Sequence, residues 1–118
     1  LSNDGTSWLL YACGAQGSTV RGVTVSGNTV SGNPDAGYDG KALALNVLAC
    51  GDRGPRRDIV VRGNTSTQPV GGTDLPIISL IRVDGATVTG NRQPVTSGEW
   101  ARFPNSTNVT VADNDLRP

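Results

Sequence analysis

Residues 23–33 read VTVSGNTVSGN, two short β-branched runs that each close on Gly-Asn. Gly-Asn between such runs is ordinarily a hairpin turn, because both residues tolerate the positive φ a tight turn demands. The same ending recurs far along the chain: IVVRGNTS at 59–66, ATVTGNRQ at 86–93 and VTVADNDL at 109–116. The corner asparagines, Asn28, Asn64, Asn91 and Asn114, are 36, 27 and 23 residues apart. A second series keeps step with the first: LLYACG at 9–14, NVLACG at 46–51, LIRVDG at 80–85 and WARFPN at 100–105. Each unit is therefore an apolar strand, a loop, a Val-x-Val strand, a Gly-Asn or Asp-Asn corner, a short strand and another loop. From Leu10, Val47, Ile81 and Ala101 to the next corner asparagine the spacings are 18, 17, 10 and 13 residues. Loops shrink while strands keep their length, which is how stacked units vary and hairpins do not.

Composition narrows the class. The 118 residues allow one domain at most, read here as a single segment, 1–118, of a longer chain or assembly, since the chain opens on Leu1. Ten acidic and ten basic side chains cancel and histidine is absent, which argues against a nucleic-acid-binding module, where a basic face or stripe is the rule. The apolar runs WLLYAC and ALAL fall far short of the ~20 residues a membrane helix needs. Sixteen glycines, seven prolines and abundant Ser, Thr, Asn and Val describe an all-β chain rich in turns. No window carries an amphipathic helical stripe with caps.

The recurring Val-x-Val-x-Gly-Asn unit resembles the right-handed parallel β-helix of the pectate lyase-like superfamily, over about four coils from Trp8 to Leu116. The resemblance implies an all-β solenoid whose corner asparagines stack as an amide ladder. The physics agrees, because in-register parallel strands repeat every ~4.8 Å and identical amides can donate and accept along that stack. In this register alternation places Leu10, Val47, Ile81 and Ala101 in one inward column and Ala12, Ala49, Val83 and Phe103 in another. Val25, Val61, Val88 and Val111 stack inside the second strand. Leu9, Asn46, Leu80 and Trp100 then face outward, beside Tyr11, Leu48, Arg82 and Arg102. That outer face is apolar and aromatic in its early coils: either it is covered by loops or another subunit, or it is a sugar-stacking groove.

Cys13 and Cys50 stand 37 residues apart at equivalent places in adjacent units. Stacked Cα atoms ~4.8 Å apart suit a disulfide, and hence an extracellular or periplasmic setting; two unpaired small apolar residues are the alternative. With no histidine and no CxxC spacing there is no zinc site and no Ser-His-Asp or Cys-His constellation.

Two loops carry chemistry. Residues 33–41, NPDAGYDGK, hold Asp35, Tyr38, Asp39 and Lys41, the only lysine. Polysaccharide lyases of this fold use a lysine or arginine base on an acidic sugar, often with carboxylate-bound calcium, so Lys41, Asp39 and Asp35 are the catalytic candidates. Asp39-Gly40 is equally a plain turn. No calcium motif is present, and no cofactor or metal is expected. Residues 51–58, GDRGPRRD, present Arg53, Arg56 and Arg57, either as a bidentate fork for carboxylate or as a solvated loop. The substrate-binding candidates are thus Arg53, Arg56, Arg57, Tyr38, Tyr11, Arg82, Arg102 and Trp100, with a groove between the two loops where Asp39, Lys41, Arg53 and Arg57 converge. Asn64, Asn105 and Asn108 match the glycosylation pattern, Asn64 at a ladder position.

The expected function is an extracellular segment of a carbohydrate-active protein of lyase, hydrolase or epimerase type that binds acidic polysaccharide. The alternative is a non-catalytic structural or glycan-binding module of an adhesin, tailspike or surface fibre. The N-terminal end is expected to pack on preceding coils, another domain or a second copy, while VTVADNDLRP turns polar and blunts the other end.

Overall fold

The computed structural model describes residues 8–31, 44–72 and 76–118. Ten strands follow in order: β1 (Trp8–Ala12), β2 (Val20–Ser26), β3 (Thr29–Val30), β4 (Asn46–Cys50), β5 (Arg56–Arg62), β6 (Thr65–Ser66), β7 (Ile78–Ile81), β8 (Val83–Thr89), β9 (Ala101–Arg102) and β10 (Thr107–Ala112). A 3₁₀ turn spans Gly51–Arg53, and no described helix is long and apolar enough to cross a membrane.

All pairing between these strands is parallel. One sheet runs β1-β4-β7-β9, a second β2-β5-β8-β10, and a third β3-β6, extended by the bridges Thr65↔Arg92 and Arg92↔Asp115. Parallel strands cannot be joined by a two-residue turn. The Gly-Asn between β2 and β3 is therefore no hairpin: β2 pairs with β5 and β3 with β6. Each unit of sequence supplies one strand per sheet, and neighbours in sequence are neighbours in each sheet.

Two columns of left-handed backbone punctuate the second sheet. Gly27, Gly63 and Gly90 sit at φ of 67°, 63° and 65°, one residue before the corner asparagine, and Asp113 holds the fourth place at 58°. A left-handed conformation costs an L-residue roughly 1–2 kcal/mol, which explains three glycines of four. Gly22, Asp58, Gly85 and Asn108 form the other column, all at positive φ, where the pairing skips one residue in every strand.

Beyond the corner the side-chain amides bond in sequence. Asn28 Nδ2 donates to Asn64 Oδ1 at 3.0 Å, Asn64 Nδ2 to Asn91 Oδ1 at 3.0 Å, and Asn91 Nδ2 to Asn114 Oδ1 at 2.9 Å. The backbone N–H of Asn28, Asn64 and Asn91 donates to the same oxygens, each at 3.0 Å. Asn64 is fully buried, as its sequence pattern as an amide ladder requires and as glycosylation would not permit.

The core lies between the sheets, built from Val47, Ala49, Ile78 and Leu80 of the first and Ile59, Val61, Ala86 and Val88 of the second. Burying one such aliphatic side chain contributes roughly 1.5–3 kcal/mol. Cys13 and Cys50 are disulfide-bonded, with Cα atoms 4.8 Å apart.

The in-out assignment needs correction in the third unit. Val47 pairs with Ile78, not Ile81, so the register differs by three residues from the sequence reading. An odd shift exchanges the two faces of a strand. Leu80, expected outside, is buried opposite Ala49, and the place expected for Arg82 beside Leu48 belongs to Ser79. Counted from Ile78, the distance to Asn91 is 91 − 78 = 13 residues, equal to 114 − 101 = 13 in the last unit, so the shrinkage becomes monotonic. Asn46 and Trp100 are buried as well. Each lies at or just outside a strand end, where strict alternation no longer governs. Val111 keeps its register with Val88 but is 45% exposed on the outermost strand, so this end is less blunted than its polar tail suggests.

Candidate functional site

The outer face of the first sheet carries the one exposed aromatic pair among the described residues. In a regular strand Trp8 and Tyr11 would point to opposite faces. A register irregularity between Trp8 and Leu10 breaks that parity, since Trp8 pairs with Asn46 and Leu10 with Val47. Trp8 and Tyr11 are consequently both exposed, at 40% and 57%, with ring centroids 5.2 Å apart in an edge-to-face arrangement. From Tyr11 the register continues through Leu48 and Ser79 to Arg102, an exposed guanidinium without an ion pair among the described residues. Three strand spacings separate Tyr11 from Arg102, about 14 Å. The row thus runs from aromatic rings through small and aliphatic groups to a cation.

The arginines of 51–58 divide. Arg53 lies exposed in the 3₁₀ turn, and Arg57 is exposed on the second sheet in a row with Arg21, Asp84 and Thr107. Arg56, expected to meet ligand, is 1% exposed. Its Nε donates to Ala12 O at 2.7 Å, one Nη to Ser18 O at 2.7 Å and to the carbonyls of Gly54 and Pro55, and the other to Ser18 Oγ at 3.0 Å. It clamps the end of β1 to the start of β5. Trp100 is likewise corrected: at 8% exposure it belongs to the core and cannot stack on a sugar. Arg82 sits in the bend between β7 and β8 at φ 53°, exposed, its N–H donating to Pro104 O. Asp35, Tyr38, Asp39 and Lys41 lie outside the described residues, so the expected convergence of Asp39 and Lys41 with Arg53 and Arg57 has only its arginine half described. Of those two arginines one lies in the turn after β4 and the other within β5.

Electrostatics on the second sheet are local. Asp84 accepts from Asn108 Nδ2 at 2.8 Å and Thr107 Oγ1 at 3.0 Å, and these bonds, with Arg57 nearby, hold its carboxyl below the usual range. Asp115 is held far below that range, first by the guanidinium of Arg117 and then by that residue's backbone N–H and by Arg92. Among the described residues no three His, Cys, Asp or Glu side chains come close enough to hold a metal.

The outer face of the first sheet thus exposes two aromatic rings and, on the row of Tyr11, one guanidinium. Trp8 escaped the sequence reading because its exposure depends on the irregularity in β1, for which the sequence offers no marker. Arg56 was misassigned because nothing local distinguishes it from Arg57. No protein-family model matches the chain, and neither a curated protein nor a solved structure matches it.

Proposed function

We propose that this chain is a segment of a right-handed parallel β-helix outside the cell, whose first sheet binds acidic polysaccharide on its outer face. The observation that carries the binding reading is the exposed Trp8–Tyr11 pair, with Tyr11 on the same row as Arg102, which has no ion pair among the described residues. The coiled architecture is supported by three parallel sheets that take strands in one repeating order. Right-handedness follows the strong preference of parallel crossovers. An oxidising compartment is supported by the Cys13–Cys50 bond.

A second reading is binding without turnover, by a non-catalytic structural or glycan-binding module. Catalysis of lyase, hydrolase or epimerase type would fall to Lys41, Asp39 and Asp35, and no step is assigned to them.

The chain has two tryptophans, Trp8 exposed and Trp100 buried, so fluorescence separates the candidate surface from the core. Acidic oligosaccharides should change the emission, and Trp8→Ala should abolish that change. Arg102→Ala should weaken acidic ligands about tenfold, the loss of roughly one charge-assisted hydrogen bond, and leave neutral ones unaffected. Binding that ignores Trp8→Ala, or no binding to any acidic oligosaccharide, sinks the proposal. Unsaturated uronate in the incubation would displace the reading without turnover.

A further inference from the structure

The strands of the first sheet, WLLYA, NVLAC, ISLI and AR, contain a single charged residue, Arg102. The register fixes what the outer face presents. Tyr11, Leu48, Ser79 and Arg102 make one row, and Trp8 stands beside Tyr11. Two residues along from that row, Cys50 pairs with Ile81, and Cys13 is bonded to Cys50. Leu48, Ser79, Ile81 and both cysteines are half-buried. Over β1, β4 and β7 the described face is therefore uncharged, and a cation stands only on β9. Arg53 and Arg82 lie beyond the ends of β4 and β7, off this row.

That distribution discriminates between acidic polymers. A carboxylate pressed against a surface loses hydration, and the loss is offset only where a cation or donor answers it. A polymer with a carboxylate on every ring, laid along this row, sets charges against Tyr11, Leu48 and the disulfide, where no described cation meets them. Neutral rings lose far less there and turn their C–H faces to aromatic and aliphatic groups. Only over Arg102 does a carboxylate gain a charge-assisted hydrogen bond. Selectivity of this kind comes from what the surface withholds as much as from what it offers.

We propose that the ligand of this face is an acidic heteropolysaccharide whose charges are separated by uncharged rings, and that a uniform polyuronate is disfavoured. Neutral sugars lie over β1, β4 and β7, and one carboxylate meets Arg102, about 14 Å from Tyr11. The proposal rests on the binding reading above and narrows its acidic polysaccharide to one class.

Calorimetric titration of the full chain with oligogalacturonates of one length isolates the number of charges. The series carries no free carboxylate, one, or one on every ring, the others being methyl esters. Xylo-oligosaccharides with and without a single glucuronate supply a second backbone. In each series the form with one carboxylate should bind about tenfold more tightly than the neutral form, and the fully free oligogalacturonate should fall about tenfold below its single-carboxylate form. Leu48→Arg sets a cation in the middle of the row, and should raise the affinity of the fully free form about tenfold. Unchanged circular dichroism and no free thiol show that this variant is folded. A fully free form that binds the parent as tightly as the single-carboxylate form overturns the proposal, as does a folded Leu48→Arg without the gain. Either result leaves the binding reading standing wherever Trp8→Ala abolishes binding. Binding of no acidic ligand in either series, or binding indifferent to Trp8→Ala, removes that reading and this proposal with it.

Discussion

Asn64 commits both polar ends of its side chain. Its Oδ1 accepts from the N–H and Nδ2 of Asn28, and its Nδ2 donates to Val25 O and Asn91 Oδ1, all at 3.0 Å and away from water. A leucine of similar size would strand several buried groups at once. Each stranded group costs about 1–3 kcal/mol. Asn64→Leu should accordingly lose about 3 kcal/mol in a chemical denaturation series. Asn28→Leu should lose about 1 kcal/mol, because Asn28 is half-buried and its backbone N–H still reaches Asn64 Oδ1. Equal losses at the two sites would contradict a ladder whose strength depends on burial.

Where strands meet loops, the element scale is governed by the Arg56 clamp. One guanidinium satisfies the carbonyls of Ala12 and Ser18 and the Ser18 hydroxyl, so the first sheet is tied to the second at the entry to β5. The fork geometry matters here, since the bonds leave from three separate guanidinium nitrogens and a lysine offers its donors on a single one. Arg56→Lys should destabilise by about 3 kcal/mol, while Arg57→Lys, one residue on and exposed, should stay within about 0.5 kcal/mol of the parent. Thermal unfolding of the two variants side by side decides it. If both changes prove neutral, the clamp is ornamental. The disulfide ties the same region, joining the residue after β1 to the end of β4, and closes a loop for which about 3–4 kcal/mol is expected on the chain-entropy account.

For the molecule as a whole, pH acts through carboxylates alone on the acid side, there being no histidine to titrate near neutrality. Asp84 and Asp115 both have folded values below those of an unfolded aspartate, through hydrogen bonds from Asn108 and Thr107 in one case and from Arg117 in the other. A lowered folded value means stability that is complete above the unfolded value of about 4 and is lost as pH falls through the folded one. The denaturation midpoint should decline below about pH 4, and Asp115→Asn should flatten part of that decline. Both carboxylates are solvent-facing, so added salt should shrink the effect. A midpoint that rises on acidification would have the wrong sign for either group.

What the sequence by itself determined is the repeating part of this protein. The all-β class, the parallel stacking of units, the four corner asparagines and the equivalent places of the two cysteines all follow from local chemistry at a recurring spacing. Glycine or aspartate at the positive-φ corner, asparagine after it and valine three residues before that asparagine carry the same meaning in each unit, whatever surrounds them. Tertiary structure alone decided which copy of a similar residue faces in. Arg56 is inside and Arg57 outside; Trp100 is inside and Trp8 outside; Leu80 is inside where the repeat pointed to Ile81. In a strand the face is a matter of parity, and parity is reset by each skipped residue and each shift of register. Those are settled by pairing with strands tens of residues away, a non-local condition that no short stretch of sequence expresses.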